Sequence, residues 1–345
     1  MAKSSILKNL GIRVYTNEMI VEKDKEGNEV NKDLKDLTEI CNKTFGNGSP
    51  SPENLHLFNQ LLVETAEEIA KPRVAQLLGT LADFNTVPAG TVKMIEIPKT
   101  VEPKFMFTAK GTGVDLERID GSVTRKLATP ESLTYGATYE ITTFMADPVK
   151  AFNDAVSKLA EAKIEYYFGR VMETLKSAVT SAEIPAKNVQ SGSNLSLADF
   201  KKVENTMIRL TGGRPLVLAD IALINHFTDL IPTTQKDLLT DELRDMLREE
   251  LVPSRISKSV AVAFPNTWID ENNSTVKFDV QTGFVFPGSY NGKKPFAITE
   301  FGAKRQYSTI DPELERVNLK IVFESNIMLV NGRYIGALID DSITV

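Results

Sequence analysis

The sequence predicts a mixed α+β protein that lacks the regular strand–helix alternation of a doubly wound sheet. Three observations carry that reading. Residues 147–178, DPVKAFNDAVSKLAEAKIEYYFGRVMETLKSA, form one amphipathic pattern about eight turns long, against a globular average of roughly three. Residues 87–147 are strand-like yet hold too few large aliphatic side chains to bury two faces. The last third returns to strands, in SVAVAFP, STVKFDVQTGFVFPG, RVNLKIVFESNIMLV and RYIGALID.

Taken in order, residues 1–50 are polar and close on GNGSPSP, a cluster of turn formers that reads as a linker or a mobile arm. Ser51 then suits an N-cap with Pro52 at the first helical position. Leu55, Phe58, Leu62 and Ile69 share one face, which predicts an amphipathic helix to about Ala70. Pro72 ends or kinks it, and Val74, Leu77, Leu78 and Leu81 suggest a short second helix. From Val87 the pattern alternates, in TVKMIEIPK, KFMFTA and SLTYGATYEITTFMA, with the charged, glycine-bearing KGTGVDLERIDGS between them. In TYEITTFM, Tyr139, Ile141 and Thr143 fall on one side of a strand. An extended hairpin of this kind is marginal alone and needs something to lie upon.

Asp147 caps the long helix and Pro148 opens it, where a missing N–H costs nothing. Its apolar stripe includes Phe152, Val156, Ile164, Tyr167, Val171 and Leu175, the expected core of the helix, with charged residues largely outside it. The pattern runs to about Ser181, and EIPAKNVQSGSN follows as a polar loop. Ser196 caps a further helix, Pro215–Ala219 reads as a buried strand, and Asp220 caps the helix after it. TDELRDMLREEL is amphipathic, with Leu243, Met246, Leu247 and Leu251 on its apolar side. Asn331–Gly332 between apolar runs signals a hairpin turn.

Catalytic chemistry is hard to find. The 345 residues include two histidines, His56 and His226, and one cysteine, Cys41. There is no HExxH and no paired-cysteine spacing, so no metal site and no cofactor is expected. His226 reads as a packing or surface histidine and Cys41 as an unactivated thiol. GTGVDL has Leu116 at the third glycine position of a dinucleotide fingerprint, and GSYNGKK has the wrong spacing for a phosphate loop; both read as turns. The acidic stretches DPELE and IDD lack EF-hand spacing and read as solvated turns. A net charge of −6 argues against a general nucleic-acid binder. No apolar run of about eighteen residues spans a membrane, the start lacks the pattern of a signal peptide, and a lone cysteine suits a reducing cytoplasm.

The order of features resembles the major capsid proteins of tailed bacteriophages, the Hong Kong 97-type fold. LTYGATYEITTFMADPVKAFNDAVSKLAEAKIEYYFGRVMETL (133–175) is similar to the point where the returning strand of that family's extended loop enters its spine helix. SLADFKKVENTMIRLTGGRPLVLADIALINHFTDL resembles its following helix, strand and helix. The likeness extends by architecture over 51–345 and in detail over 87–230. It implies an α+β shell subunit with an N-terminal arm and amphipathic helix at 1–86 and an extended β-hairpin loop at 87–147. A peripheral domain with the spine helix would occupy 148–195 and 296–330, and an axial domain 196–295 and 331–345.

The function implied is structural rather than enzymatic: pentamers and hexamers building an icosahedral shell around double-stranded DNA. The virion would be its location and the host cytoplasm its place of assembly. The DNA would be contacted weakly and without sequence specificity. Partners would be further copies of the chain, a separate scaffolding protein, a portal and a decoration protein, with no membrane. About fifty polar residues precede the first helix, so the scaffolding segment that many relatives fuse at the N-terminus is expected to be a separate chain. The interleaved charges of the loop place Lys110, Gly111, Gly113, Asp115, Glu117, Arg118, Arg125 and Lys126 at intersubunit contacts. Two alternatives stay open at this point, an encapsulin-type nanocompartment shell and a carboxylate-dependent hydrolase. The hydrolase would need two facing acids, and the sequence marks no such pair.

Overall fold

The computed structural model describes residues 2–23, 29–46, 50–98, 123–231, 255–264, 266–290, 294–311 and 313–344. The first segment corrects the expectation of a linker or mobile arm. Helix α1 (Ala2–Thr16), a small antiparallel pair β1 (Val21–Lys23) and β2 (Glu29–Asn31), and helix α2 (Lys32–Phe45) precede α3 (Pro52–Leu78). Leu10 and Val14 share one face of α1, and Leu37, Cys41 and Phe45 share one face of α2. All five are buried against Leu55, Phe58, Leu61 and Leu62 of α3. Their spacing of four puts them on one side of each helix. Arg13 and Asp33 join α1 to α2 through two hydrogen bonds of 2.8 and 2.7 Å. Helix α3 begins at its Ser51 cap and runs through Pro72 as one helix. Pro72 lies on the exposed side of the helix. On the opposite side Val74 and Leu78 are buried.

Strand β3 (Ala82–Val87) leads into a two-stranded ribbon, β4 (Lys93–Pro98) paired antiparallel with β5 (Val123–Ala128). KFMFTA lies outside the described residues. Strand β6 (Glu131–Glu140) leaves the ribbon and joins a four-stranded sheet with β12 (Phe296–Asp311) and β13 (Arg316–Leu329), in the order β3–β12–β13–β6. Only β3 runs parallel to its neighbour. The expected strand through Ile141 and Thr143 is instead a short helix, α4 (Ile141–Ala146). Ile141 and Phe144, three apart, are both buried against the N-terminal helices, and this packing overrides the β-branched run. Strand β12 has no counterpart in the sequence reading. Gly302 (φ +65°) and a register shift between Phe301 and Arg305 interrupt its alternation.

Helix α5 (Pro148–Thr180) starts where the sequence placed it, with Lys150 N–H donating to the Asp147 carboxylate at 3.1 Å. At 1.5 Å per residue it is about 50 Å long. Its two halves serve different cores. Ala151, Phe152, Val156 and Ala160 pack with α1–α4. Tyr167, Phe168, Val171, Met172, Leu175 and Ala178 pack against a second sheet. The half-buried Ile164 touches both.

That second sheet has six strands. They are β7 (Val189–Gly192), β8 (Leu216–Ala219), β9 (Arg255–Ile256), β10 (Ser259–Ala263), β11 (Thr282–Phe286) and β14 (Gly336–Asp340), in the order β7–β14–β11–β8–β10–β9. Helix α6 (Leu197–Thr211), with a Ser196/Asp199 capping box, and α7 (Ile221–Asp229), capped by Asp220, bury Phe200, Val203, Met207, Leu223, Ile224 and Phe227 against one face. The second half of α5 covers the other. Strand β7 lies inside the stretch expected to be a polar loop; Asn188, buried, donates to the carbonyls of Arg333 and Ile335 at 3.0 Å and holds it there. The expected TDELRDMLREEL helix lies outside the described residues. Asn331–Gly332 makes no hairpin, because β13 and β14 belong to different sheets. Gly332 is required for another reason: a Cβ there would meet the Glu183 carbonyl oxygen at 2.3 Å.

Candidate assembly surfaces

The ribbon is the part of the molecule whose strands have least to lie upon. Its register pairs Met94 with Leu127 and Glu96 with Arg125 on one face, and Ile95 with Lys126 and Ile97 with Thr124 on the other. On the first face Met94 is 53% and Leu127 52% exposed, with Val92 exposed beside them. Two large apolar side chains are thus directly opposed across the ribbon and left half in water. The inner face leans on the four-stranded sheet. Lys93 donates to Asn85 at 2.6 Å, and Lys126 donates to the Leu329 carbonyl at 3.0 Å.

Of the residues expected at intersubunit contacts, Lys110, Gly111, Gly113, Asp115, Glu117 and Arg118 lie outside the described residues. Arg125 pairs with Glu96 at 3.1 Å in an exposed ion pair, a geometry that contributes little to the stability of the subunit itself. The structure does not bring Arg125 and Lys126 together: adjacent in a strand, they point to opposite faces. Of the expected spine-helix residues, Phe152, Val156, Tyr167, Val171 and Leu175 are buried and Ile164 is half-buried.

A half-buried charge cluster ties α3, α5 and β12 together where the two cores meet. Lys163 of α5 lies 3.3 Å from Glu300 and 3.9 Å from Glu67, and Lys304 pairs with Glu67. Tyr167 donates to Glu300 at 2.5 Å. Burial pushes Lys304 down to about 8 and the Tyr167 phenol far up. Burial also works against ionisation of Glu300, yet Lys163 and the Tyr167 hydroxyl outweigh it and hold its carboxyl below the usual range. Beside the cluster an apolar cavity of about 160 Å³ separates the helices from the sheet, lined by Val63, Leu159, Tyr166, Ile321 and Phe323 among others. The sequence reading missed this cluster. One signal was available: Lys163 falls between Leu159 and Tyr167 on the apolar stripe, at a spacing of four.

The remaining polar candidates are absorbed by the fold. His226 Nε2 lies 3.1 Å from the Leu195 carbonyl and 3.5 Å from Asp340. Asp340 is fully buried, which corrects the solvated turn expected for IDD. It accepts from the backbone N–H groups of Asn194 and Leu195 and from the hydroxyl and N–H of Ser342. Asp311 accepts from the N–H groups of Glu313 and Leu314 and shapes the β12–β13 turn. Lys294 of the GSYNGKK stretch donates to the carbonyls of Gly79 and Ala82 and pairs with Asp83. Cys41 is buried, its thiol pushed up to about 12. Among the described residues no cluster of His, Cys, Asp and Glu could hold a metal ion, and no helix is long and apolar enough to cross a membrane.

Residues 6–339 match the family model described as "SPbeta prophage-derived putative capsid protein YonB". The SPbeta prophage-derived protein YonB of Bacillus subtilis (strain 168) is 39% identical over 310 residues, covering 89% of this chain and 91% of that one. Among solved structures, a chain of "Satellite phage P4 procapsid including size determination (Sid) protein" superposes with a TM-score of 0.50 at 13% identity, covering 82% of this chain and 90% of that one. A chain of the bacteriophage PhiM1 mature capsid gives 0.49 at 10% identity, covering 77% and 87%. At these identities the structures speak to the fold alone, and the first of them carries it. The chain belongs to the YonB family of phage capsid proteins and has the Hong Kong 97-type fold.

Proposed function

We propose that this chain is the major capsid protein of a tailed phage, a structural subunit whose copies form the pentamers and hexamers of an icosahedral shell enclosing double-stranded DNA. The observation that carries the proposal is the β4–β5 ribbon with its opposed, uncovered Met94 and Leu127, in a chain of a capsid-protein family. The ribbon, with Lys110, Gly111, Gly113, Asp115, Glu117, Arg118, Arg125 and Lys126, acts as a strap over a neighbouring subunit. Helix α5 is the rigid beam of the tile and joins the helical core to the six-stranded sheet. The division follows from that role: an arm at 1–86, the loop at 87–147, a peripheral domain at 148–195 and 296–330, and an axial domain at 196–295 and 331–345. A scaffolding protein encoded separately, a portal and a decoration protein are the further partners, and assembly takes place in the host cytoplasm.

The test is to purify the recombinant chain, alone and with proteins encoded beside it, and to examine it by negative-stain electron microscopy. Shells, tubes or rings of five and six are expected. Arg118→Glu should fold normally and fail to form them; normal shells from that variant would remove the strap from the proposal.

A further inference from the structure

The end of the six-stranded sheet nearest the C-terminus of α6 carries a concavity of a different character from the rest of this acidic chain. We propose that it is a phosphate-binding site formed by Arg214, Arg255 and Lys258. Helix α6 stops at Gly212, which is in the left-handed region (φ +75°), and Gly213 and Arg214 lead from it into β8. Val260 pairs with Arg255 on β9 and with Leu216 on β8, and its N–H donates to the Pro215 carbonyl at 2.9 Å. Following β10 and β8 back two residues from that pairing places Lys258 beside Arg214. The three cations line one open concavity of about 430 Å³, floored by Gly212 and Gly213. Among the described residues no acidic side chain lines it, and none of the three is ion-paired to a carboxylate.

The turn that presents Arg255 and Lys258 is held from beneath. Glu204 of α6, buried at 1% exposure, accepts from the N–H of Lys258 at 2.8 Å and from the hydroxyls of Ser259 at 2.7 Å and Ser257 at 3.0 Å. Ser257 sits at φ +55°, a conformation costly for a residue with a Cβ. A buried carboxylate and a strained serine thus fix a turn whose outward side chains are two cations. The carbonyl end of α6 favours cations over anions, so recognition rests on the side chains: guanidinium forks matched to phosphate oxygens, and the lysine as a point charge. A nucleic-acid backbone or a free organic polyphosphate could supply the phosphate. The first source rests on the shell reading above; the site itself does not.

The experiment measures binding of a short fluorescent DNA duplex and of inorganic tripolyphosphate to the full chain across a range of salt concentrations. R214Q/R255Q/K258Q is compared with K150Q/K158Q/K187Q, which removes the same charge from exposed positions elsewhere. The expected result is duplex binding weakened about tenfold or more in the first variant only. Its log–log salt slope should be shallower by about 0.9 for each phosphate that the variant no longer neutralises, and tripolyphosphate should compete. Tripolyphosphate binding abolished in the first variant, with no duplex binding, assigns the same site to a free polyphosphate. Equal weakening in both variants, or binding of a poly-glutamate peptide with no response to either phosphate probe, overturns the proposal. R214K/R255K, which keeps the charge, should retain binding and guards against misfolding as the cause. Shells that form normally from a chain with no phosphate affinity overturn the site and leave the shell reading intact.

Discussion

The six-stranded sheet and the β4–β5 ribbon are built from similar residues and have opposite fates. Strand β11, TGFVF, is buried along its whole length, between neighbours on both edges and helices on both faces. In the ribbon β4 and β5 pair with each other alone among the described strands, and Met94 and Leu127 are left half in water. The sheet satisfies itself within one chain. On the function proposed above, a second copy of the chain completes the burial of the ribbon. In a chain of a capsid-protein family, function is to be sought at strands whose burial is unfinished.

The sheet is the side of that contrast more sensitive to substitution. Phe284, buried in β11, should cost about 3–5 kcal/mol of subunit stability when replaced by alanine, read from the denaturant midpoint. At the end of the same sheet, Asp340→Asn removes a carboxylate that accepts four hydrogen bonds and should cost about 1–3 kcal/mol. Burial alone would raise the Asp340 carboxyl, but the Ser342 hydroxyl and the N–H groups of Ser342, Leu195 and Asn194 hold it below its usual value. A depressed folded value means that this stabilisation is complete above the unfolded value of about 3.9 and is lost as pH falls through the folded one. Amide exchange at Asn194 and Leu195 should therefore gain an acid-dependent opening below about pH 4, absent in Asp340→Asn.

At the ribbon the balance reverses. Leu127→Asp should change subunit stability by about 0.5 kcal/mol or less, because the side chain is already exposed, while particles disappear from sedimentation profiles. Glu96→Gln, which breaks the exposed pair with Arg125, should have the smallest effect, a few tenths of a kcal/mol, with a change in the salt dependence of assembly rather than its loss.

Much of the fold was legible because local signals agreed with the tertiary outcome. Asp147–Pro148 followed by a stripe of spacing three and four defined α5, and Ser196 with Asp199 defined the start of α6. What was not legible has physical causes. Gly302 and the neighbouring charges hid β12, whose alternation resumes only beyond the register shift. Ile141–Thr143 favours a strand by propensity, and only burial of Ile141 and Phe144 makes it helical. The N-terminal helices were legible but overlooked: Leu37, Cys41 and Phe45 recur every four residues among the charges of α2. Asn331–Gly332 has hairpin chemistry, but Gly332 serves the close approach of residue 183. Of the candidate surface, the loop was marked by its strands and charges. The Met94–Leu127 pairing required the register, and the turn over Glu204 required the fold.

The most direct test compares the wild-type chain with Leu127→Asp, each expressed with the same neighbouring proteins, by size exclusion and negative-stain electron microscopy. Shells, tubes or rings are expected from the wild type, and a folded monomer with an unchanged melting temperature from the variant. A wild-type chain that stays monomeric with every partner, or a variant that assembles as the wild type does, would contradict the proposed function.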